Sequence, residues 1–113
     1  MDKLKLLLHV PASNRFEAAL KVAKNFALAM GQRPYKVRIL VNFEGITVLN
    51  NFSPYEELFK EVLSYGIEVY FCENALKGFN IPKEKVPHGG KTVPAGIVAL
   101  VEWQEENYKY VRA

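Results

Sequence analysis

The sequence has few of the residues that disulfide, metal or membrane proteins need. Its 113 residues include one cysteine, Cys72, and two histidines, His9 and His88. One cysteine excludes an internal disulfide, and two widely separated histidines lack the spacing of a zinc site. The apolar run at residues 6–10 is too short to span a membrane and lacks a signal-peptide cleavage pattern. We therefore expect a soluble cytoplasmic protein with no metal, no cofactor and no membrane partner.

The sequence also lacks a dense basic segment. Fifteen lysines and arginines against twelve acidic residues give a net charge of +3, but the lysines are spread along the chain. Charge without clustering or interleaved aromatic residues supports only weak, salt-sensitive association with nucleic acids. We therefore do not expect nucleic acid to be the partner.

Apolar residues, by contrast, are plentiful. Half of the residues are hydrophobic and 12% are aromatic, which excludes a disordered chain. A chain of this length is about one domain with a single core. We see no linker, repeat or low-complexity segment, so residues 1–113 are predicted to form one domain.

Strand and helix patterns alternate along the chain. Such alternation predicts right-handed crossovers, a mainly parallel sheet of about five strands and a three-layer α/β/α sandwich. Residues 43–52 fit either a short helix or a surface segment that covers something apolar. The predicted strands are residues 3–10, 35–42, 67–71 and 108–111, and the predicted helices lie at 14–31, 53–66, 74–79 and 92–107.

Three helix starts carry local signals. Asn14 with Glu17 resembles a capping box, and Ser53 before Pro54 combines an N-cap residue with proline at the first helical position. Pro94 is predicted to lie in the first turn of the last helix.

Cys72 is the leading candidate for chemistry because it lies where an apolar strand ends and a helix begins. Open α/β sheets bind ligands at this edge. The first free amides of that helix, at Glu73, Asn74 and Ala75, are expected to stabilise a thiolate, although the charge of Glu73 opposes this unless it points away. The alternative is that Cys72 only packs, since free cysteine is often buried.

Other residues are predicted to lie near this edge. His9 ends the first strand and is a candidate proton donor or acceptor, and Asn74 either orients the thiol or caps the helix. Arg15, at a helix start, is a candidate for binding an anion such as thiosulfate. The loop that contains His88 and Lys91 is either a mobile cover and landing site or a solvated connection.

Two motifs carry a resemblance to a known family. They are the strand Gly66-Ile67-Glu68-Val69-Tyr70-Phe71-Cys72, continued by Glu73-Asn74-Ala75-Leu76, and the downstream helix start Val93-Pro94-Ala95-Gly96. With the first strand and the C-terminal segment, they are similar to the short, single-domain DsrE/DsrF-like sulfur-relay proteins. One departure is Asn107-Tyr108, where these proteins often have Gly-Tyr; asparagine tolerates the same left-handed geometry.

The resemblance implies a homo-oligomer, a trimer or hexamer, with the cysteine near a subunit boundary. It implies that Cys72 carries sulfane sulfur as a persulfide and passes it from a donor to an acceptor thiol, and it makes Pro94 and Gly96 candidate substrate-binding residues. Whether the protein turns over as a sulfurtransferase or only carries sulfur stays open.

The alternative function is a non-catalytic homo-oligomeric assembly or partner-binding module in which the cysteine is structural. A receiver or nucleotide-binding domain is disfavoured because the first strand is followed neither by paired acidic residues nor by a glycine-rich loop.

Overall fold

A five-stranded, all-parallel sheet forms the centre of the protein. The structure is a computed structural model that describes residues 3–113. The strand order is β4-β3-β2-β1-β5, so the first strand lies inside the sheet and β5 pairs with it at one edge. The strands are β1 (Leu4–Val10), β2 (Tyr35–Val41), β3 (Glu68–Cys72), β4 (Lys91–Val93) and β5 (Lys109–Arg112).

Helices and 3-10 turns connect the strands. The helices are α1 (Phe16–Met30), α2 (Glu56–Ser64), α3 (Glu73–Gly78) and α4 (Gly96–Glu105). The 3-10 segments are Ser13–Arg15, Phe43–Asn51, Ser53–Tyr55 and Lys83–Lys85. No helix within residues 3–113 has the length and apolar character needed to cross a membrane.

The two faces of the sheet are covered unequally. The larger core packs α1, α2, the 3-10 segment Phe43–Asn51 and Leu76 of α3 against one face. The smaller core, among the described residues, packs a single helix, α4, against the other face. The predicted three-layer α/β/α sandwich is therefore confirmed, with one outer layer thinner than the other. The smaller core contains Leu7, Leu40, Ala99, Leu100, Trp103 and Tyr108.

The far end of α4 is held by an arginine between aromatic rings. The Arg38 guanidinium lies 4.8 Å from the Trp103 ring centre and 4.6 Å from that of Tyr108, and it pairs with Glu68 at 3.2 Å. Such cation–π contacts are worth about 0.5–2 kcal/mol each, more when water is excluded. They fix the C-terminal half of α4 against β2 and β3, which in turn sets where its N-terminus lies.

The sequence pattern predicts a helix from residue 92 and therefore misses the strand β4. Lys91–Val93 instead pairs with β3, and the Lys91 ammonium lies 2.7 Å from the Glu68 carboxylate. Three residues are too few for a period-two pattern to show in the sequence. Pro94 therefore precedes α4, which begins at Gly96, and the prediction that it lies in the first helical turn is wrong.

The two predicted side-chain caps are also absent. Helix α1 begins at Phe16 after a 3-10 turn, with no capping hydrogen bond from Asn14. The neighbouring Ser13 binds Glu44 instead, through its backbone N–H at 2.7 Å and its hydroxyl at 2.6 Å. The Ser53 hydroxyl donates to the nearby Asn51 side chain, and α2 starts at Glu56, three residues later, without a side-chain cap.

The ambiguous segment after β2 is the 3-10 run Phe43–Asn51, which buries Ile46, Val48 and Leu49. It starts tightly against the chain after β1: the Gly45 N–H donates to the Pro11 carbonyl at 3.0 Å. A Cβ on Gly45 would overlap the Val10 carbonyl oxygen, so only glycine fits there.

We predict that Gly45→Ala lowers the free energy of unfolding by about 1–3 kcal/mol, because backbone atoms must move to admit the methyl group. Gly78→Ala is the matched control, since nothing lies within 4 Å of its added Cβ. That change should stabilise α3 by up to about 1 kcal/mol. Denaturant unfolding of both variants checks this; equal stability for Gly45→Ala and wild type would show that the close approach is absent.

Candidate functional site

A cavity of about 520 Å³ opens at the carboxyl edge of the sheet, where β1, β2 and β3 end. Four of the predicted site residues line it: Cys72, His9, Asn74 and Gly96. This is the edge at which open parallel sheets place ligands. Four predicted residues thus lie together at this edge, and Asn42, directly after β2, lines the cavity with them.

Cys72 lies at the base of this cavity as a free, 5% exposed thiol. Its Sγ accepts a hydrogen bond from the backbone N–H of Gly96 at 3.2 Å, at the first residue of α4. A Cβ on Gly96 would lie 3.3 Å from both Cys72 Cβ and Leu40 Cδ2, tighter than ordinary contacts. Glycine therefore allows the start of α4 to approach the sulfur closely.

The sequence predicts that amides of α3 contact the sulfur, and this prediction is wrong. The amide that contacts the sulfur belongs to Gly96 of α4. The Asn74 N–H donates instead to the Pro94 carbonyl at 3.3 Å. The reason is the alternation of side chains along β3. The Cys72 side chain points to the face covered by α4, whereas Leu76 of α3 packs into the core on the opposite face.

The Glu73 carboxylate, next to the thiol in sequence, is directed toward other partners. It accepts the Thr92 hydroxyl at 2.7 Å and pairs with the Lys83 ammonium at 3.1 Å. These two hydrogen bonds, that of Thr92 first, hold the pKa of Glu73 below its usual value. The carboxylate is thus engaged by Thr92 of β4 and by Lys83 of the 3-10 segment Lys83–Lys85.

His9 is buried in a polar network beside the cavity. Its Nε2 lies 2.8 Å from Asn42 Oδ1, and its Nδ1 lies 2.6 Å from the Tyr110 hydroxyl. Because the amide oxygen only accepts, Nε2 carries the proton of the neutral ring, and Nδ1 accepts from Tyr110. Both nitrogens are therefore occupied, and neither is hydrogen-bonded to Cys72.

Burial is the main cause that lowers the pKa of His9 from its ordinary value of 6.5. The hydrogen bond to Asn42 acts in the opposite direction, and the nearby Arg112 lowers the pKa further. The neutral ring is thus the form that the fold selects.

Asn42 and Tyr110 were not predicted as site residues. A polar residue directly after the apolar strand β2, at the same edge as His9 and Cys72, was a usable signal for Asn42. Tyr110 gave none, because it reaches His9 only through the pairing of β5 with β1 across 101 positions of sequence.

Four predicted substrate-binding residues lie outside the lining of this cavity. Arg15 and His88 are exposed, in the turn before α1 and in the loop before β4. Lys91 pairs with Glu68, and the Pro94 carbonyl accepts the Asn74 N–H. Their roles in binding stay predictions that the cavity itself does not support.

Comparison with known proteins decides the family. The model of the DsrE/DsrF-like family matches residues 6–113. The chain belongs to the DsrE/DsrF-like family. The resemblance seen in the sequence is therefore confirmed over nearly the whole chain.

Two solved structures share the DsrE/DsrF-like fold of this chain. A protein of unknown function from Methanobacterium thermoautotrophicum matches with a TM-score of 0.83 and 19% identity over 98% of this chain and 100% of that one. A conserved protein of unknown function from Bacteroides thetaiotaomicron matches with a TM-score of 0.74 and 19% identity, over 96% and 94%. At this identity they bear on the fold alone. Comparison with curated protein sequences finds no match.

We predict that the free energy of unfolding decreases as the pH falls below about 6.5. The pKa of His9 is lowered in the folded protein, so His9 takes up a proton at a higher pH in the unfolded chain than in the folded one. His9→Gln should flatten this dependence between pH 7.5 and 5.5, a range (about one unit on either side of 6.5) in which histidine titrates. Denaturant unfolding across the range measures it. His88→Gln, at an exposed position, should leave the wild-type slope; a slope unchanged by His9→Gln would contradict the assignment.

Proposed function

We propose that this protein is a small cytoplasmic sulfur-relay protein that carries sulfane sulfur as a persulfide on Cys72. The observation that carries the proposal is the Gly96 N–H···Sγ contact of 3.2 Å at the base of an open cavity. Membership of the DsrE/DsrF-like family supports a role in sulfur relay.

The chemistry needs a thiolate that attacks a sulfane sulfur, followed by attack of an acceptor thiol on the resulting persulfide. The Gly96 N–H donates to the sulfur and so holds the start of α4 beside the reacting atom. The cavity of about 520 Å³ gives a donor room next to Sγ. These features together favour a reactive over a purely packed cysteine.

Asn74 and His9 are assigned supporting roles in this proposal. Asn74 is exposed and lines the cavity, and in this proposal its side-chain amide orients a bound donor. Burial is the main cause that favours the neutral form of His9, and both of its ring nitrogens are bonded, to Asn42 and to Tyr110, so it acts in proton transfer only through that network. A direct proton transfer between His9 and the thiol would require one of these hydrogen bonds to open.

We predict that tetrathionate or polysulfide adds sulfur-containing mass to Cys72 in the native protein, as measured by intact-protein and peptide mass spectrometry. Cys72→Ser should acquire no adduct, since Cys72 is the single cysteine of the chain. An equal adduct on Cys72→Ser, or none on the wild type, would exclude the relay.

A pair of glycine variants separates the role of the α4 amide from mere access to the thiol. Gly96→Ala should slow sulfur loading by about tenfold, the equivalent of one hydrogen bond of about 1.4 kcal/mol, because the methyl group displaces the amide from Sγ. Gly78→Ala, on the same cavity but with open space at its Cβ, should load at the wild-type rate.

A second candidate function, a homo-oligomeric assembly such as a trimer or hexamer, is favoured by the outer surface of α4. Ile97 and Val101 lie one turn apart and are 67% and 56% exposed, with Val98 beside them. Contiguous exposed apolar surface often marks an interface. Because Ile97 also lines the cavity, a neighbouring subunit on this surface would border the thiol.

We predict that Val101→Lys shifts the protein toward the monomer in sedimentation velocity, because it places a charge within this apolar surface. Val22→Lys on α1 is the matched control and should sediment as the wild type. A monomeric wild type, or an oligomer that withstands Val101→Lys, would remove α4 as the interface.

A further inference from the structure

Phe43 lines the same cavity as Cys72 and has an unusual backbone conformation. It lines the cavity, yet its side chain is 69% exposed, and its backbone has a φ of 46°. A bulky residue in the left-handed region is a true outlier, and such strain clusters at functional sites. Hydrogen bonds on either side hold the turn, from the Asn42 N–H to the Val10 carbonyl at 3.2 Å and from the Gly45 N–H to the Pro11 carbonyl at 3.0 Å. The fold therefore keeps an aromatic ring at the cavity at a cost that the core does not require.

The rest of the cavity wall is mostly apolar. Phe79, Ile97 and Leu100 line it together with Phe43, and Phe79 and Ile97 are themselves exposed. Within residues 3–113, no lysine, arginine, aspartate or glutamate contributes to this lining. Among the polar side chains of the lining, His9 is bonded through Nε2 to Asn42 Oδ1 and through Nδ1 to Tyr110, and Asn74 is exposed.

This lining suits one kind of sulfur donor better than another. A small inorganic dianion such as thiosulfate would leave its hydration shell for a wall with no cation to replace it. An organic donor would place its apolar body against Phe43, Phe79 and Ile97 and release water from both surfaces. The volume of about 520 Å³ is in the range of sites for small organic ligands.

We propose that the cavity selects organic sulfane donors with an apolar body of about the size of an aromatic ring, and that Phe43 is the residue that determines this specificity. The proposal rests on the proposed function of Cys72 and narrows its substrate class. The apolar body lies between Phe43 and α4, and the sulfane sulfur lies toward Sγ and the Gly96 amide.

The reaction with an aryl thiosulfonate, Ar–SO₂–S⁻, illustrates the step. The Cys72 thiolate attacks the terminal sulfur and forms a new S–S bond with it. The bond between this sulfur and the sulfonyl sulfur breaks, and its electron pair leaves with the arenesulfinate, Ar–SO₂⁻. Cys72 is left as the persulfide anion, so atoms and charge balance without a further oxidant or reductant.

The test compares benzenethiosulfonate with methanethiosulfonate, which carry the same charge and the same reacting bond but differ in the apolar body. Loading rates of Cys72 are measured by mass spectrometry on the native protein and divided by the rates of each donor with free cysteine. We expect a normalised preference of at least about tenfold for the phenyl donor, from burial of its ring. Thiosulfate should load more slowly than either.

Two variants link the preference to the cavity. Phe43→Ala should reduce the preference for the phenyl donor severalfold while leaving the methyl donor nearly unaffected. Leu28→Ala removes a similarly exposed apolar side chain on α1 and should keep the wild-type preference. Because Phe43 is mostly exposed, its truncation should leave the protein folded, which the unfolding midpoint verifies.

The outcomes separate this inference from the function on which it rests. Equal normalised rates for the two thiosulfonates, with sulfur on Cys72, would overturn the organic-donor inference and leave the relay intact. A preference that survives Phe43→Ala would overturn the assignment of specificity to Phe43. No loading of Cys72 by any donor would overturn the relay and the inference together.

Discussion

The site depends on the close contact between the start of α4 and the end of β3. The Gly96 N–H reaches Cys72 Sγ at 3.2 Å, and a side chain on Gly96 would press on Cys72 and Leu40. The contact needs a fixed helix as well as a small residue. Arg38 provides this at the other end of α4 by packing against Trp103 and Tyr108. A helix held at its C-terminal half can present its first amide to the sulfur at a constant distance.

The unequal covering of the sheet explains why a cavity exists there. One face of the sheet packs against α1, α2 and the segment Phe43–Asn51, whereas α4 alone, among the described residues, covers the other. A helix of ten residues leaves the carboxyl edge of that face open. Cys72, His9 and Asn42 line this opening, and the exposed Ile97 of α4 borders it. The cavity opening and the exposed apolar surface thus both follow from the covering of this face by a single helix.

Sequence patterns predicted most of the fold because its strands are apolar and its helices amphipathic. They missed β4, whose three residues are stabilised by pairing with β3 and by the Lys91–Glu68 contact. They also misplaced the starts of α1 and α2, since Ser13 binds Glu44 across the fold and no side chain caps either helix. The serine hydroxyls near these two helix starts are bonded to other side chains, that of Ser13 to the distant Glu44 and that of Ser53 to the nearby Asn51.

At the site, the sequence identified residues at the ends of strands but not their partners. Cys72 and His9 could be placed at one sheet edge because both lie at the ends of strands that were expected to be parallel. The link from His9 to Tyr110 and the amide of Gly96 at the sulfur depend on packing between distant segments, which no local pattern encodes. The same holds for Phe43, whose strained backbone appears only in the folded chain.

The central claim, that the fold presents Cys72 as a reactive thiol, is tested most directly by its reaction with a small uncharged alkylating agent. The rate with iodoacetamide is measured by intact mass on the native protein, on the same chain unfolded in denaturant, and on free cysteine at the same pH. The account predicts that native Cys72 reacts at a rate comparable to that of free cysteine or faster. Reaction only after unfolding would show that the sulfur is a packed core atom and would contradict it.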